Sequence, residues 1–241
     1  MELIQQLFCY KIKESDNEVI IKCKKQRQQE HDDCFKHNIS LPFITLHHIF
    51  LENISDKDHY SSLAGKDCDK CVFIQLGRQA HYKDYFVYIS ESIKDNTMVC
   101  VMNGDLFIDS KLPMPLIEKN LHGNIAFGIS RHEFTDSEHT VCNETTCRFV
   151  HNYCASFDTF CVRTPLLKDI KFDELDYRQN LYGAENLTHY VLHAAGYRFI
   201  NPCFDFRTFH NHKDSVYFEG YKRIDNHIMG KFRGSKPSML S

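Results

Sequence analysis

Four short stretches of the 241-residue chain carry side chains whose types and spacing could do chemistry. In "MNGDLFID" (102–109) an apolar run ends in Asn103, Gly104 and Asp105. A carboxylate at the tip of a buried strand adds little to a core. It can, however, hold a hard divalent cation such as Mg2+ or Mn2+, and such a cation can hold a diphosphate. Gly104 beside it would let the backbone come close to a nucleotide. Asn-Gly-Asp is equally ordinary turn chemistry. In "FHNH" a strand would put His210 and His212 on one face. Two imidazoles can ligate a metal, or simply pack. Glu185 opens the helical pattern of "YGAENLTHYVLHAAGY", either complementing the helix dipole or acting as a general base held at the helix start. Asp158 in "SFDTF" is flanked by apolar residues, and a buried carboxylate needs a partner, structural or catalytic.

The elements that must position these groups follow from periodicity. "FITLHHIFLE", "CVFIQLG" and "TMVCVMN" read as strands, the last two as buried ones. "QRQQEHDDCFKHNISL" reads as a helix with Cys34 and Phe35 on its apolar side, after "NEVIIKCKK", which contains only a short apolar alternation. "HYKDYFVYISESI" has helical spacing through Tyr82, Tyr85, Phe86 and Ile89. "ISDKDHYSSLAGKDCDK" is polar and loop-like. In the second half, "NIAFGISRHEF" is a strand that turns polar, "ASFDTFCVRTPL" a strand ending at Pro165, and "SVYFEGYKRID" a short last strand. "AENLTHYVLHAAGYRF" is the clearest helix, with Leu187, Tyr190, Val191 and Ala194 on one face and Gly196 as a stop. Alternating strands and helices up to about residue 110 predict a parallel sheet with crossover helices, in an α/β chain without internal repeats.

Composition excludes several classes. Hydrophobic residues make up 42% and charged residues 25%, with 19 Phe and 12 Tyr, the profile of a folded chain with a large core. A net charge of -3 is no footprint for nucleic acid. The basic run "KCKKQR" is followed at once by "QEHDD", which reads as a solvated helix face. No stretch reaches the ~18 apolar residues of a transmembrane segment, and "MELIQQLFCYKIKESD" is not a signal peptide, so a cytoplasmic protein, or a soluble piece of a larger one, is expected. Eleven Cys at irregular spacing do not make a disulfide framework. "CDKC" (Cys68, Cys71) has metal-ligand spacing, but Cys142/Cys147 and Cys154/Cys161 do not supply the second pair of a zinc ribbon. The sequons at Asn38, Asn53, Asn143 and Asn186 read as chance matches.

Taken in order, "QRQQEHDDCFKHNISLPFITLHHIFLE", "IQLGRQAHYKDYFVYIS" and "VMNGDLFID" resemble the GT-A-type glycosyltransferase-like domains of large DNA viruses and some bacteria. Arg78 and Tyr82 match that family's arginine-tyrosine pair, and "NGDLFID" its N-S-D-I-x-F-D strand end, with Gly for Ser. "SFDTF", "GAEN", "AGYRFINP" and "HNH" follow in the family's order. The resemblance spans roughly residues 25 to 215. "GAENLTHYVLHAAGYRFINPC" followed by a histidine is also similar to the corresponding region of the polypeptide N-acetylgalactosaminyltransferases.

The resemblance implies a GT-A-like fold in one domain over 1–241: a Rossmann-like nucleotide-binding half with a mostly parallel sheet (about 1–110) and a smaller acceptor half (about 111–241). It implies a metal-dependent glycosyltransferase, in the setting of a virus-infected cell, that moves a sugar from a nucleotide sugar, expected to be a UDP-sugar, to a glycan or other hydroxyl acceptor. Arg78, Tyr82, Asn103, Gly104 and Asp105 would bind the nucleotide sugar. Asp105 with His210 or His212 would hold Mn2+ or Mg2+. If the reaction inverts the anomeric carbon, Glu185, then Asp158, are the candidate catalytic bases; if it retains, neither is needed as base and both would instead bind sugar hydroxyls. The chain departs from the acidic DxD of many such enzymes, having one carboxylate in Asn103-Gly104-Asp105. That keeps open an inactive module that only binds a glycan or nucleotide.

Overall fold

The structure, a computed structural model, describes residues 1–134, 139–140, 149–150, 153–154, 157–179, 181, 183–211 and 238–241. Its centre is a seven-stranded sheet. In chain order the strands of this sheet and of its two small companions are β1 (Glu2–Leu7), β2 (Leu46–Leu51), β3 (Cys71–Gln75), β4 (Met98–Met102), β5 (Leu106–Ile108), β6 (Ile125–Ile129), β7 (His132–Phe134), β8 (His139–Thr140), β9 (Phe149–Val150), β10 (Tyr153–Cys154), β11 (Thr159–Arg163), β12 (Arg198–Ile200) and β13 (Thr208–His210). The large sheet runs β12-β6-β11-β4-β1-β2-β3. Its pairs are parallel except the two made by β11, which is antiparallel to both β4 and β6. The fold is thus α/β with a mostly parallel sheet.

The sheet alternates its side chains between two faces. Ile4, Phe50, Val99 and Val101 pack on one face against helices α3 (Tyr82–Ser92) and α5 (Ala184–Ala194), through Tyr85, Phe86, Leu187 and Val191. On the other face α1 (Glu18–Ser40) and α2 (Asp56–Ala64) bury Phe35, Ile39 and Tyr60 against Ile49 and Leu51. Further along that face α4 (Met114–Asn120) adds Ile117 beside Leu3, Cys100 and Met102. A small sheet ordered β5-β13-β7-β8 stands beyond the end of β4.

Several local expectations change. "NEVIIKCKK" supplies the first turns of α1, which starts where Asn17 Oδ1 accepts the amide of Ile20 at 2.9 Å. "ISDKDHYSSLAGKDCDK" is not a loop: it holds α2 and a 3-10 helix, Gly65–Lys70. The strand β1, hidden in "MELIQQLFCYKIKESD", lies between β2 and β4 near the middle of the sheet. Its pattern is obscured by Gln5 and Gln6, which are buried because their amides brace neighbouring loops: Gln5 Nε2 donates to Asn103 O at 2.7 Å, and Gln6 Oε1 accepts Ala80 N at 3.2 Å. Nor is α1 solvated along its charged stretch, since Glu30, His31 and Asp32 are buried. Cys68 and Cys71 are free thiols. "SVYFEGYKRID", Cys142, Cys147, Asn143 and His212 lie outside the described residues. Among the described residues no helix is long and apolar enough to cross a membrane.

Candidate functional site

The carboxyl end of β4 places Asn103, Gly104 and Asp105 at the edge of the parallel sheet, where open α/β sheets bind ligands. Gly104 is demanded by its own chain. A Cβ there would lie 2.9 Å from Gln6 O and 3.0 Å from His31 Nδ1, so β1 and α1 fill the space a side chain would need. The Ser that the resembled family carries has no room.

Asp105 is joined by two residues remote in sequence. β5 follows it directly and pairs antiparallel with β13, with Leu106 opposite His210. This brings His210 Nε2 to 3.3 Å from Asp105 Oδ2. From α1, Arg27 Nη2 reaches the same oxygen at 2.8 Å, while its Nη1 pairs with Glu30 one turn along the helix. The Asp105 side chain is 17% exposed. Burial alone would raise its carboxyl, but His210, then His31 and Arg27, outweigh it and hold the group well below the usual carboxylate range. His31 is itself pushed down to about 4 by burial, and so stands as a neutral ring at neutral pH.

A second group of residues lies beside the first. Because β11 is antiparallel to β4, with Thr159 opposite Met102, the residue before β11 sits at the tip of β4. Asp158 therefore faces Asn103. Asn103 Nδ2 donates to Asp158 Oδ1 at 3.1 Å, and Arg131 Nη1 donates to Oδ2 at 3.0 Å. Glu185 lies in the first turn of α5, after Gly183, whose φ of 89° needs a glycine. Burial, then the charge of Asp158, push the Glu185 carboxyl up to about 8. Asp158 is thus held by two donors, while Glu185 beside it is raised.

Tyr82 and Arg78 are placed differently from Asp105. Tyr82 is buried at the start of α3, its ring 5.7 Å from Tyr177 and 6.0 Å from Phe160. Burial, then the charge of Glu185, raise its hydroxyl. Arg78 is half exposed and makes a two-pronged pair with Asp84 of α3, both distances 2.7 Å. His212 is outside the described residues.

The sequence reasoning missed Arg27, His31 and the aromatic pair Phe8 and Tyr10 just after β1, which line a cleft with Asn103 and Asp105. A signal for the helix residues exists. Arg27, Glu30, His31, Cys34, Phe35 and Asn38 fall at i, i+3, i+4, i+7, i+8 and i+11, one stripe of a helix. Its lower part is plainly core, so its upper, polar part faces inward too. A wider groove of about 450 Å3, lined by Gln29, Asp33, His37 and Phe107 among others, contains none of Asp105, His210, Asp158 and Glu185.

The donor set can be tested against a divalent cation. Two neighbouring ligands of an octahedral ion, each ~2.1 Å from it, lie roughly 3 Å apart. Asp105 Oδ2 and His210 Nε2 meet that spacing at 3.3 Å. Among the described residues no group of three His, Cys, Asp or Glu side chains converges. Mg2+-type sites that also take substrate phosphates need only one or two protein ligands. Around the tips stand three carboxyl groups, Glu30, Asp105 and Asp158, against two guanidinium groups, Arg27 and Arg131, while Glu185, raised to about 8, is mostly uncharged near pH 7. A diphosphate entering that surplus of acid calls for added positive charge. The residues fit a cation held by Asp105 and His210.

Known structures show where this fold recurs. The chain superposes on GalNAc-T7 with UDP, GalNAc and Mn2+ at a TM-score of 0.53 and 8% identity, over 94% of this chain and 45% of that one. It superposes on S. aureus TarS 1-349 in complex with UDP-GlcNAc at a TM-score of 0.50 and 13% identity, over 90% of this chain and 62% of that one. The chain thus spans less than two thirds of each. No family model and no curated protein sequence matches it. At these identities the likeness is one of fold, and the fold is GT-A-like.

Proposed function

We propose that the chain is a glycosyltransferase that takes a nucleotide sugar, a UDP-sugar in the first instance, and passes the sugar to a hydroxyl of a glycan or similar acceptor. The observation that carries this is the pairing of two constellations at adjoining strand tips, Asp105 with His210 and Asp158 with Glu185, linked through Asn103. The structural neighbours are nucleotide-sugar glycosyltransferases, and GalNAc-T7 is seen with UDP and Mn2+, TarS with UDP-GlcNAc.

Asp105 and His210 would hold a divalent cation, Mn2+ or Mg2+. That cation, when bound, neutralises charge growing on the departing diphosphate. Glu185 accepts the proton of the acceptor hydroxyl as that oxygen bonds to the sugar's anomeric carbon and the bond from that carbon to the diphosphate breaks. A carboxyl raised to about 8 is a strong base once ionised, and its proton affinity lies close to working pH. Asp158, held by Asn103 and Arg131, orients sugar or acceptor hydroxyls. Asn103, Gly104 and Arg78 complete the donor side of the proposal, and the buried Tyr82 supports the site from beneath Asp158 and Glu185.

The test is a thermal-shift series with UDP and UDP-sugars, with and without Mn2+, followed by assays of transfer and donor hydrolysis. A ligand at 100 times its dissociation constant raises stability by about 2.7 kcal/mol. Stabilisation by UDP without transfer or hydrolysis across a broad donor and acceptor panel would mean a binding module instead.

A further inference from the structure

Arg27 occupies a position the proposed chemistry does not explain. Asp105 Oδ2, the oxygen that His210 approaches, already carries a cation in Arg27 Nη2 at 2.8 Å. The pair is sheltered, with 15% of the Arg27 side chain and 17% of the Asp105 side chain exposed, so it is weakly screened. Glu30 holds the other arm of the guanidinium, and Gln26 Nε2 steadies Glu30 Oε1 from 3.2 Å. The Tyr10 hydroxyl lies against the same guanidinium, so Arg27 lines the cleft between the tips of β1 and β4. Burial opposes its charge, but Asp105 and its other partners overcome this and raise its proton affinity, so it is a permanent cation. A dication and a guanidinium at one carboxylate oxygen repel each other.

We infer that Arg27 holds the place of the cation at Asp105 when no cation is bound and becomes a ligand of the nucleotide's diphosphate once the cation binds. The inference rests on the proposed nucleotide-sugar function. A guanidinium is a planar fork whose two donors match phosphate oxygens. Glu30, on the same helix, keeps it in the cleft when Asp105 turns to the cation. Arg27 therefore opposes metal binding in the absence of nucleotide and favours nucleotide binding in the presence of metal. A purely structural arginine would do neither.

The experiment is titration calorimetry of the whole chain with Mn2+ alone and with UDP in saturating Mn2+, on the wild type, Arg27→Met and the double variant Arg27→Met/Glu30→Gln. The double variant leaves no unpaired Glu30 carboxylate, and so keeps the test valid if the single variant folds poorly. Loss of one charge-assisted contact corresponds to about tenfold or more in affinity. The expected result is Mn2+ alone binding at least about tenfold tighter, and UDP with Mn2+ at least about tenfold weaker, than in the wild type. Unchanged or weaker binding of Mn2+ alone in the folded variants overturns the place-holding role. Unchanged UDP affinity overturns the diphosphate role. A wild type that binds no UDP, with or without Mn2+, overturns the transferase proposal itself, an outcome distinct from both.

Discussion

The side-chain amide of Asn103 donates to Asp158 Oδ1 across 3.1 Å, and the Asn103 amide N–H donates to the Asp158 carbonyl at 3.3 Å. Two hydrogen bonds thus tie the strand tip that presents Asp105 to the carboxylate whose charge acts on Glu185. The donor side and the proposed base side of the site are mechanically one unit.

Asn103→Asp would restore the acidic first position of a DxD motif but replace a donor with a carboxylate facing a carboxylate. Such pairs ionise fully only at a cost that grows with pH. The variant should lose about 1–3 kcal/mol at pH 8 and much less at pH 5. Thermal melts at the two pH values check this. An equal loss at both would mean that Asn103 acts through packing alone.

Glu185 should leave a signature in stability and in rate. Its folded proton affinity is above the ordinary one of 4.5, reaching about 8. Between those values the folded state binds more protons than the unfolded one, so stability falls as pH rises through the window, by up to about 1.4 kcal/mol per pH unit. Glu185→Gln should therefore melt above the wild type at pH 8.5 and match it near pH 4. Its transfer rate should drop at least about a hundredfold. Wild-type transfer should climb with pH and level off above about 8. A Gln variant with full transfer would shift the proposed base to Asp158.

Gly104→Ser tests the packing of the tip. Its Cβ would press on the backbone oxygen of Gln6 at 2.9 Å and on the buried His31 ring at 3.0 Å. A loss of about 1–3 kcal/mol is expected from such overpacking, read as a lower melting temperature. A serine variant as stable as the wild type would show that α1 can move away from β4 without penalty.

Asp105→Asn and His210→Ala separate the cation site from the ion pair. Both should abolish the Mn2+-dependent part of stabilisation by UDP. Asp105→Asn disturbs the contacts with both Arg27 and His210, His210→Ala the second one only, so Asp105→Asn should lose the more intrinsic stability near neutral pH, about 1.5–3 kcal/mol. The Asp105 carboxyl is held below its ordinary range, so the stability it lends is present above the unfolded value and disappears as pH falls through the lower folded one. The Asn variant should approach the wild type in acid. Full Mn2+-dependent shifts in both variants would reduce "MNGDLFID" to a turn.

Local periodicity was enough to read β2, β3, β4, α3 and α5, because each buries one face or lies wholly inside, and that leaves a pattern in neighbouring residues. Residue type marked Asp105, Asp158, Glu185 and His210 as groups able to do chemistry, and the family resemblance implied the GT-A-like fold. The strand β1 was illegible, since its two glutamines serve loops brought to it by other parts of the chain. Arg27 shares a helix stripe with core residues of α1, but its partner Asp105 is supplied only by the junction of β4 and β5. Tertiary structure alone decided which groups meet. Asp105 finds His210 through the antiparallel pairing of β5 with β13, and Asn103 finds Asp158 because β11 runs against β4. Strand order and direction are set by long-range pairing, over 105 positions for Asp105 and His210, and no window of neighbouring residues carries that information.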